Sequence, residues 1–293
     1  MARAEAQPGA NAIRDLGYRP YVGDRLPASN NTKVLLRQSL RRAWASWLVK
    51  VAAFLGWLPT AIALGYLGFV YWLNSKQPGM ADPVDGGGVL ESVYRWQTWL
   101  FVSLVTLGAG ACAIAEDFQF KSFQFYFAKP VTQAQYLGGR IAAVAIWVFA
   151  LLAIPGLVLV LFLTGSSPEG ERLTQLGYAL PMLIQAALAA WVCATASVGV
   201  SSLSKSRALT MTAWILLFLV PHVLALIVDA VADWEWMRLL SIPALLQEVA
   251  GDLFKIDDEN DIGWMHALPV LLGVSVGGLL LARQRLRQAE VIS

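Results

Sequence analysis

The sequence has 293 residues, of which 57% are hydrophobic and only 14% are charged. Soluble domains carry roughly 25% charged residues, so this composition argues against an ordinary soluble domain and favours a protein with several membrane spans. Cys112 and Cys193 both lie within apolar runs, which argues against a disulfide or metal framework. The first 30 residues lack the apolar core of a secretory signal, so we expect the amino terminus to stay in the cytoplasm.

Residues 1–31 combine scattered charges with prolines and glycines, which is typical of a cytoplasmic tail. Residues 32–46 then predict a helix with a basic face opposite a Leu/Trp face, as in helices that lie in the membrane interface. The alternative is that this helix simply continues the first span. On the interfacial interpretation, the residues that anchor the helix are Lys33, Arg37, Arg41, Arg42, Trp44 and Trp47.

Six apolar runs are long enough to cross a membrane, since about 20 apolar residues span a hydrocarbon core of roughly 30 Å. They lie near 50–73, 97–115, 140–164, 178–203, 208–230 and 265–282. Prolines within the runs predict kinks, as at Pro59, Pro155, Pro221 and Pro269. The sequence therefore predicts an all-α, polytopic membrane protein whose transmembrane domain covers 32–293.

The lysines and arginines predict the orientation of these spans. On the side of the amino-terminal tail lie 17 of the 22, and such an excess marks the cytoplasmic face. We therefore expect a multi-pass protein of the cell (cytoplasmic, or inner) membrane with both termini in the cytoplasm.

The outer loop 231–264 predicts a short helical hairpin before the last span, with Pro243 between its two amphipathic halves. The alternatives are a gate over an exit and a lid that only packs. The gate would be formed by Trp234, Trp236, Leu245 and Leu246. The first outer loop, 74–95, contains the triplet Gly86 to Gly88 and is expected to be flexible.

The sequence offers little for catalysis or cofactor binding. The two histidines, His222 and His266, stand at no metal-ligand spacing, so we expect no catalytic, metal or cofactor site on this chain. His222 falls within the fifth run, where an ionisable residue is either functional or bonded to a nearby carbonyl. Residues 199–206 resemble a phosphate-binding loop but end an apolar helix, so we predict no ATP site here. The basic surface is too small for nucleic acid.

Small residues in the apolar runs predict close helix packing. Gly273 and Gly277 form a GxxxG pattern in the last run, which permits close approach of two helices in lipid. The pattern is compatible with a dimer contact, but packing within one chain is the expected use.

The segment 116–130 reads EDFQFKSFQFYFAKP and lies between two apolar runs. It is too polar to span a membrane and too aromatic for an ordinary loop. Aromatic rings give a large contact area at low entropy cost, and charges at the rim orient a partner, so we predict a protein contact. The alternative is an interfacial helix that rests on lipid. The predicted contact residues are Asp117, Phe118, Phe120, Lys121, Phe123, Gln124, Phe125, Phe127 and Lys129.

Residues 114–140 resemble the type 2 ABC exporter permease family. Asp117 matches its acidic position at the end of the second span, Lys129-Pro130 its basic–proline pair, and Tyr136–Arg140 the start of its third span, with arginine in place of the usual lysine. Lys121-Ser122 departs from the small or glycine residue that is common in the family. The six-span plan, the amino-terminal helix and the outer hairpin extend the resemblance over nearly the whole chain.

The resemblance implies a particular assembly. Two permease chains would pair with two ABC ATPase subunits, which bind ATP and Mg, and 117–128 would be a coupling helix in a groove of the ATPase. The first hypothesis is therefore the membrane subunit of an ATP-driven exporter of hydrophobic or lipid-linked cargo. The alternatives are a non-transport anchor or regulatory subunit, and an ATP-independent carrier, which would need charges within the spans.

Overall fold

The computed structural model describes residues 30–77, 84–123, 131–232, 234–256 and 263–292. Within these ranges the chain is helical and contains no strand. Six helices are long and apolar enough to cross a membrane, and we number them as spans 1 to 6: Trp47–Lys76, Gly86–Gln119, Gln133–Ser166, Arg172–Ser201, Arg207–Ala232 and Trp264–Gln288. The predicted all-α fold with six spans is confirmed.

The spans alternate in direction, so the bundle has two distinct ends. The amino-terminal helix, Asn30–Ala45, lies with the end of span 2 and the start of span 3 at what we call the amino-terminal end. Its bounds agree with the predicted 32–46. Ser46 has an extended backbone (φ −67°, ψ 131°) and separates this helix from span 1, so the two are distinct helices. The opposite end is the hairpin end.

Span 1 is broken near its middle into the helices Trp47–Leu55 and Leu58–Lys76. Pro59 lies in the first turn of the second helix, where a missing backbone N–H costs no hydrogen bond. The break frees the carbonyl of Gly56, and Gln97 of span 2 donates to it at 3.0 Å and to Thr60 Oγ1 at 3.2 Å. A buried side-chain amide thus satisfies the polar groups that the kink exposes.

Span 2 contains two π-helical stretches. It runs through Gly86–Trp96, the π-helical stretches Gln97–Val102 and Thr106–Gly110 with Ser103–Val105 between them, and a last turn, Ala115–Gln119. Thr106 in the second π-helical stretch accepts a 2.9 Å hydrogen bond from the indole of the buried Trp214 in span 5. The other helices are more regular, and Pro155 and Pro221 lie inside continuous helices.

The glycine triplet that was expected to be flexible instead begins span 2. Asp85 caps this helix, and its carboxylate accepts hydrogen bonds from the N–H groups of Gly87 (3.0 Å) and Gly88 (2.9 Å). An aspartate at this position satisfies donors that a helix start leaves free, so the triplet is helical and span 2 is longer than predicted.

Spans 2, 3 and 4 form the centre of the bundle, whereas spans 1, 5 and 6 turn apolar faces outward. In their most apolar stretches, 72% of span 4 but only 17% of span 5 is buried. Span 4 crosses span 6 at a pair of glycines: a Cβ on Gly278 would lie 2.5 Å from the carbonyl oxygen of Thr195, and one on Gly199 would lie 2.5 Å from Gly278 Cα. Gly273 and Gly277 face open space, so the expectation that this pair packs within the chain is wrong.

The hairpin before span 6 consists of a 3₁₀ turn, Glu235–Leu240, and the helix Ile242–Phe254. Ser241 caps the second helix by accepting from the N–H of Ala244 at 3.1 Å. Arg238 fixes the turn, since it donates to Asp229 of span 5 at 2.7 Å and to Glu248 of the helix at 2.8 Å. The hairpin is therefore tied to span 5 by charge as well as by packing.

Candidate functional site: an ion-paired junction at the end of span 2

A cluster of charges joins the last turn of span 2 to the helices around it. Asp117 is only 3% exposed. Its carboxylate accepts a 3.0 Å hydrogen bond from Arg42 of the amino-terminal helix, and also pairs with Arg140 and the Tyr136 hydroxyl of span 3. A buried carboxylate is stable only when paired and hydrogen-bonded, and here it has partners from two other elements.

Glu116 extends the cluster to a fourth element. It pairs with Arg42 and, at 3.4 Å, with Arg207 at the start of span 5. Burial lowers the pKa of Arg42, but the hydrogen bond to Glu116 and the charge of Asp117 outweigh burial, so the pKa lies above its ordinary value. We call these residues the ion-paired junction: Arg42, Glu116, Asp117, Tyr136, Arg140 and Arg207.

The main chain after the junction turns sharply. The N–H of Ser122 bonds the carbonyl of Asp117 at 2.9 Å, and that of Lys121 bonds the carbonyl of Phe118 at 3.3 Å, which is the pattern of a Schellman motif. Lys121 has a φ of 53°, in the left-handed region where glycine is usual. Lys121 therefore departs from the family pattern at a position where the backbone of this turn itself favours glycine.

The aromatic residues of the segment divide into inner and outer groups. Phe123 is 5% exposed, and its ring centroid lies 4.7 Å from that of Phe118 and 5.4 Å from that of Tyr136. Phe120 is 69% exposed, and Lys121 is also exposed. The inner rings pack the turn onto span 3 while Phe120 and Lys121 form its free surface.

These positions change the roles expected for two residues. Asp117 was expected to be an orienting charge at the rim of a partner contact, and Phe123 to be part of the contact surface; both instead lie inside this chain because their partners come from spans 2 and 3 and the amino-terminal helix. Contact with a partner stays a prediction for Phe118, Phe120 and Lys121. Gln124, Phe125, Phe127 and Lys129 lie outside the described residues.

The anchor residues predicted on the amino-terminal helix also divide in two. Lys33, Arg37 and Arg41 are exposed, as an interfacial face requires. Arg42 turns inward to the junction, since it lies three residues after the buried Ser39 on the same side of the helix. Trp44 stacks on Trp147 of span 3, with ring centroids 5.1 Å apart and planes 9° apart, whereas Trp47 is exposed.

The four residues predicted to form a gate differ in exposure, and their role as a gate stays a prediction. Leu245 and Leu246 are buried in the core beneath the hairpin, whereas Trp234 and Trp236 are about half exposed. His222 is buried nearby, with its Nδ1 3.1 Å from the hydroxyl of Ser241. The imidazole thus has a polar partner, a hydroxyl rather than the expected carbonyl.

Sequence reasoning did not assign four members of the junction: Glu116, Tyr136, Arg140 and Arg207. One pattern in the sequence could have indicated the junction. Opposite charges that border apolar runs on the same face of a membrane protein are expected to pair. The acidic pair 116–117 and the arginines that begin the third and fifth runs satisfy that condition. The pattern does not specify which arginine meets which carboxylate.

Comparison with models of protein families places the chain in a known family. The profile of a family described as "ABC-2 family transporter protein" matches residues 73–257. This range covers spans 2 to 5 and the hairpin, and it includes Glu116, Asp117, Tyr136, Arg140 and Arg207. No curated protein matches the sequence.

Proposed function

The chain belongs to the ABC-2 transporter family of membrane permeases, and we propose that it is the membrane subunit of an ATP-driven exporter. The family implies association with an ABC ATPase subunit. In the proposed assembly that subunit binds ATP and Mg and contacts this chain at the turn after span 2.

The geometry of the ion-paired junction carries this proposal. Phe120 and Lys121 are exposed at the tip of a turn, and the carboxylates three to five residues before them are ionically bound to the amino-terminal helix and to spans 3 and 5. A displacement of the tip by a partner therefore acts on several elements at once. Buried ion pairs favour such joint movement, because separating them leaves charges unpaired.

The distribution of charge favours ATP coupling over an independent carrier. In the described residues, the ion pairs lie at the junction, at the amino-terminal end, and around Arg95 and Arg238, in the half of the bundle toward the hairpin end. Ion-coupled carriers place their binding groups near the middle of the membrane, and the described residues form no ion pair between these two groups of charges.

The exposed apolar faces of the spans and the composition of the chain suggest the pairing of two permease chains, their orientation and the substrate class. We propose that two permease chains pair through the outward apolar faces of the peripheral spans, and that the protein lies in the cell (inner) membrane with both termini and the junction in the cytoplasm. We propose an apolar or lipid-linked substrate, since apolar side chains dominate the spans. A non-transport anchor would share the ATPase contact but move no substrate.

The proposed contact is tested with Phe120→Asp. An acidic side chain at the tip should release the ATPase, since an apolar contact is replaced by a charge that must lose its water. The measurement is Mg-dependent ATP hydrolysis in the material that co-purifies with the tagged chain, and we expect it to fall at least about tenfold. The matched control is Leu173→Asp, at an exposed apolar residue of the hairpin end. Equal hydrolysis in both preparations contradicts the proposed contact.

A further inference from the structure

A polar cavity of about 480 Å³ lies beside the ion-paired junction, within the size range of small-molecule sites. Arg42, Arg140 and Arg207 line it together with Glu116 and the hydroxyls of Ser39 and Ser46. Five alanines and Gly108 form much of the remaining wall, and these small residues leave the space open. The guanidinium of Arg207 is about half exposed, with 52% of its side chain accessible.

Among the described residues, arginines outnumber carboxylates around this cavity: the ion-paired junction contains three arginines and the two carboxylates Glu116 and Asp117. Arg42 and Arg207 share Glu116, so the described carboxylates balance the positive charge of these two arginines only in part. A partly buried charge is costly without a partner. An anion that enters the cavity would neutralise it.

A second cavity, of about 310 Å³, lies next along span 3, between this helix and span 1, and its wall is almost wholly apolar. Along span 3, Arg140 and Val144 line the first cavity, while Trp147, Leu151 and Ile154 line the second. These residues follow one another on one helical face, and from 140 to 154 the helix rises by about 20 Å. Together the cavities offer a charged end and an apolar continuation.

Trp147 lines the apolar cavity, one helical turn beyond Val144 of the polar cavity. Its indole Nε1 is buried and has no hydrogen-bond acceptor among the described residues. A buried indole N–H usually has a partner, so this donor points to an acceptor from outside the chain. Tryptophans at this depth of a membrane characteristically face the headgroup region.

We propose that the two cavities together bind one anionic phospholipid. Its phosphate would lie between Arg42 and Arg207, an ester carbonyl would accept from Trp147, and an acyl chain would follow the apolar cavity. Basic pockets between spans on the cytoplasmic side suit anionic headgroups, and only a ligand with a charge and a tail matches both cavities. The proposed lipid site does not depend on ATP-driven transport. That the lipid comes from the cytoplasmic leaflet rests on the proposed orientation of the chain.

The test uses the full chain in nanodiscs of phosphatidylcholine with a minor fraction of phosphatidylglycerol. Native mass spectrometry then measures the phosphatidylglycerol retained per protein. Arg207→Gln should lower its affinity about fivefold, the effect of one basic group at an anionic headgroup. Lys205→Gln is the matched control, because this lysine is exposed two residues away and does not line the cavity. Trp147→Phe keeps an aromatic ring but removes the N–H, and should weaken retention about threefold.

Two results would overturn the proposal. An equal loss in Arg207→Gln and Lys205→Gln would show that the lipid is held by general surface charge. Displacement of phosphatidylglycerol by inorganic phosphate alone would show a site for a free anion without a tail. The lipid site is supported if phosphatidylglycerol retention falls in Arg207→Gln and Trp147→Phe but persists in Lys205→Gln. Retention by the unmodified chain should also resist inorganic phosphate. None of these readouts requires the ATPase, so the lipid site and the proposed function succeed or fail separately.

Discussion

At the scale of single residues, Asp117 determines how the turn after span 2 is held. One of its carboxylate oxygens faces Arg42, and the other faces Arg140 and the hydroxyl of Tyr136. Its main-chain carbonyl accepts from Ser122 within the Schellman motif. The same residue therefore orients the turn and binds it to two other helices.

Neutralising this carboxylate should be costly. Asp117→Asn keeps the shape of the side chain but leaves Arg42 and Arg140 with an uncompensated positive charge, which we expect to lower the free energy of unfolding by about 3–5 kcal/mol. The check is thermal unfolding of purified protein in detergent. Glu169→Gln is the control, since its side chain is 93% exposed and 3.9 Å from Arg172. Similar melting temperatures for both variants would contradict the assigned role of Asp117.

At the scale of helices, the amino-terminal helix is docked on span 3 through one glycine of a pair. A Cβ on Gly139 would lie 3.0 Å from Leu35 Cβ, whereas one on Gly138 would meet nothing within 4 Å. Arg140 next to this contact also donates to Ser39 at 3.2 Å. The docking combines close backbone approach with buried polar contacts.

A larger side chain at the contact between Gly139 and Leu35 should separate the amino-terminal helix from span 3. Gly139→Val places two methyl groups against Leu35, so we expect faster hydrogen exchange at the amides of residues 35–43 while the spans stay protected. Gly138→Val adds the same side chain to open space and should leave this exchange unchanged. If the two variants exchange alike, the glycine contact does not control docking.

Sequence alone could not separate these two glycines. They are adjacent, identical and in the same motif, and only the position of Leu35, about a hundred residues earlier in the chain, distinguishes them. The GxxxG pattern in span 6 shows the same limit. Its spacing predicts a small-residue face, but the contact with span 4 uses Gly278, one residue beyond the pattern.

At the scale of the whole molecule, the six spans and the two ends of the bundle were predictable because the bilayer imposes length and apolarity on every crossing helix. The ion-paired junction was harder to predict from the sequence, since its pairs join residues up to 91 positions apart. The charge types and their place beside apolar runs were visible in the sequence, but their pairing depends on how the helices pack. The same dependence determined which aromatic residues of the segment after span 2 are buried.

The orientation of the bundle is open to direct measurement. Leu173 at the hairpin end and Phe120 at the amino-terminal end are both exposed, while the native Cys112 and Cys193 are buried. In intact cells, a membrane-impermeant maleimide should label Leu173→Cys and should label Phe120→Cys only after permeabilisation. Labelling in the reverse order would overturn the proposal that the junction faces the cytoplasm.

The central claim is that an ATPase subunit binds the exposed tip of the turn that the junction holds. A photo-reactive phenylalanine analogue placed at Phe120 in the full chain, in its own cells, tests this claim most directly. On illumination it should form a covalent adduct with an ABC ATPase, identified by mass spectrometry, and the same analogue at Leu173 should not. An adduct with lipid alone at Phe120, or ATPase adducts of equal yield at both positions, would contradict the account.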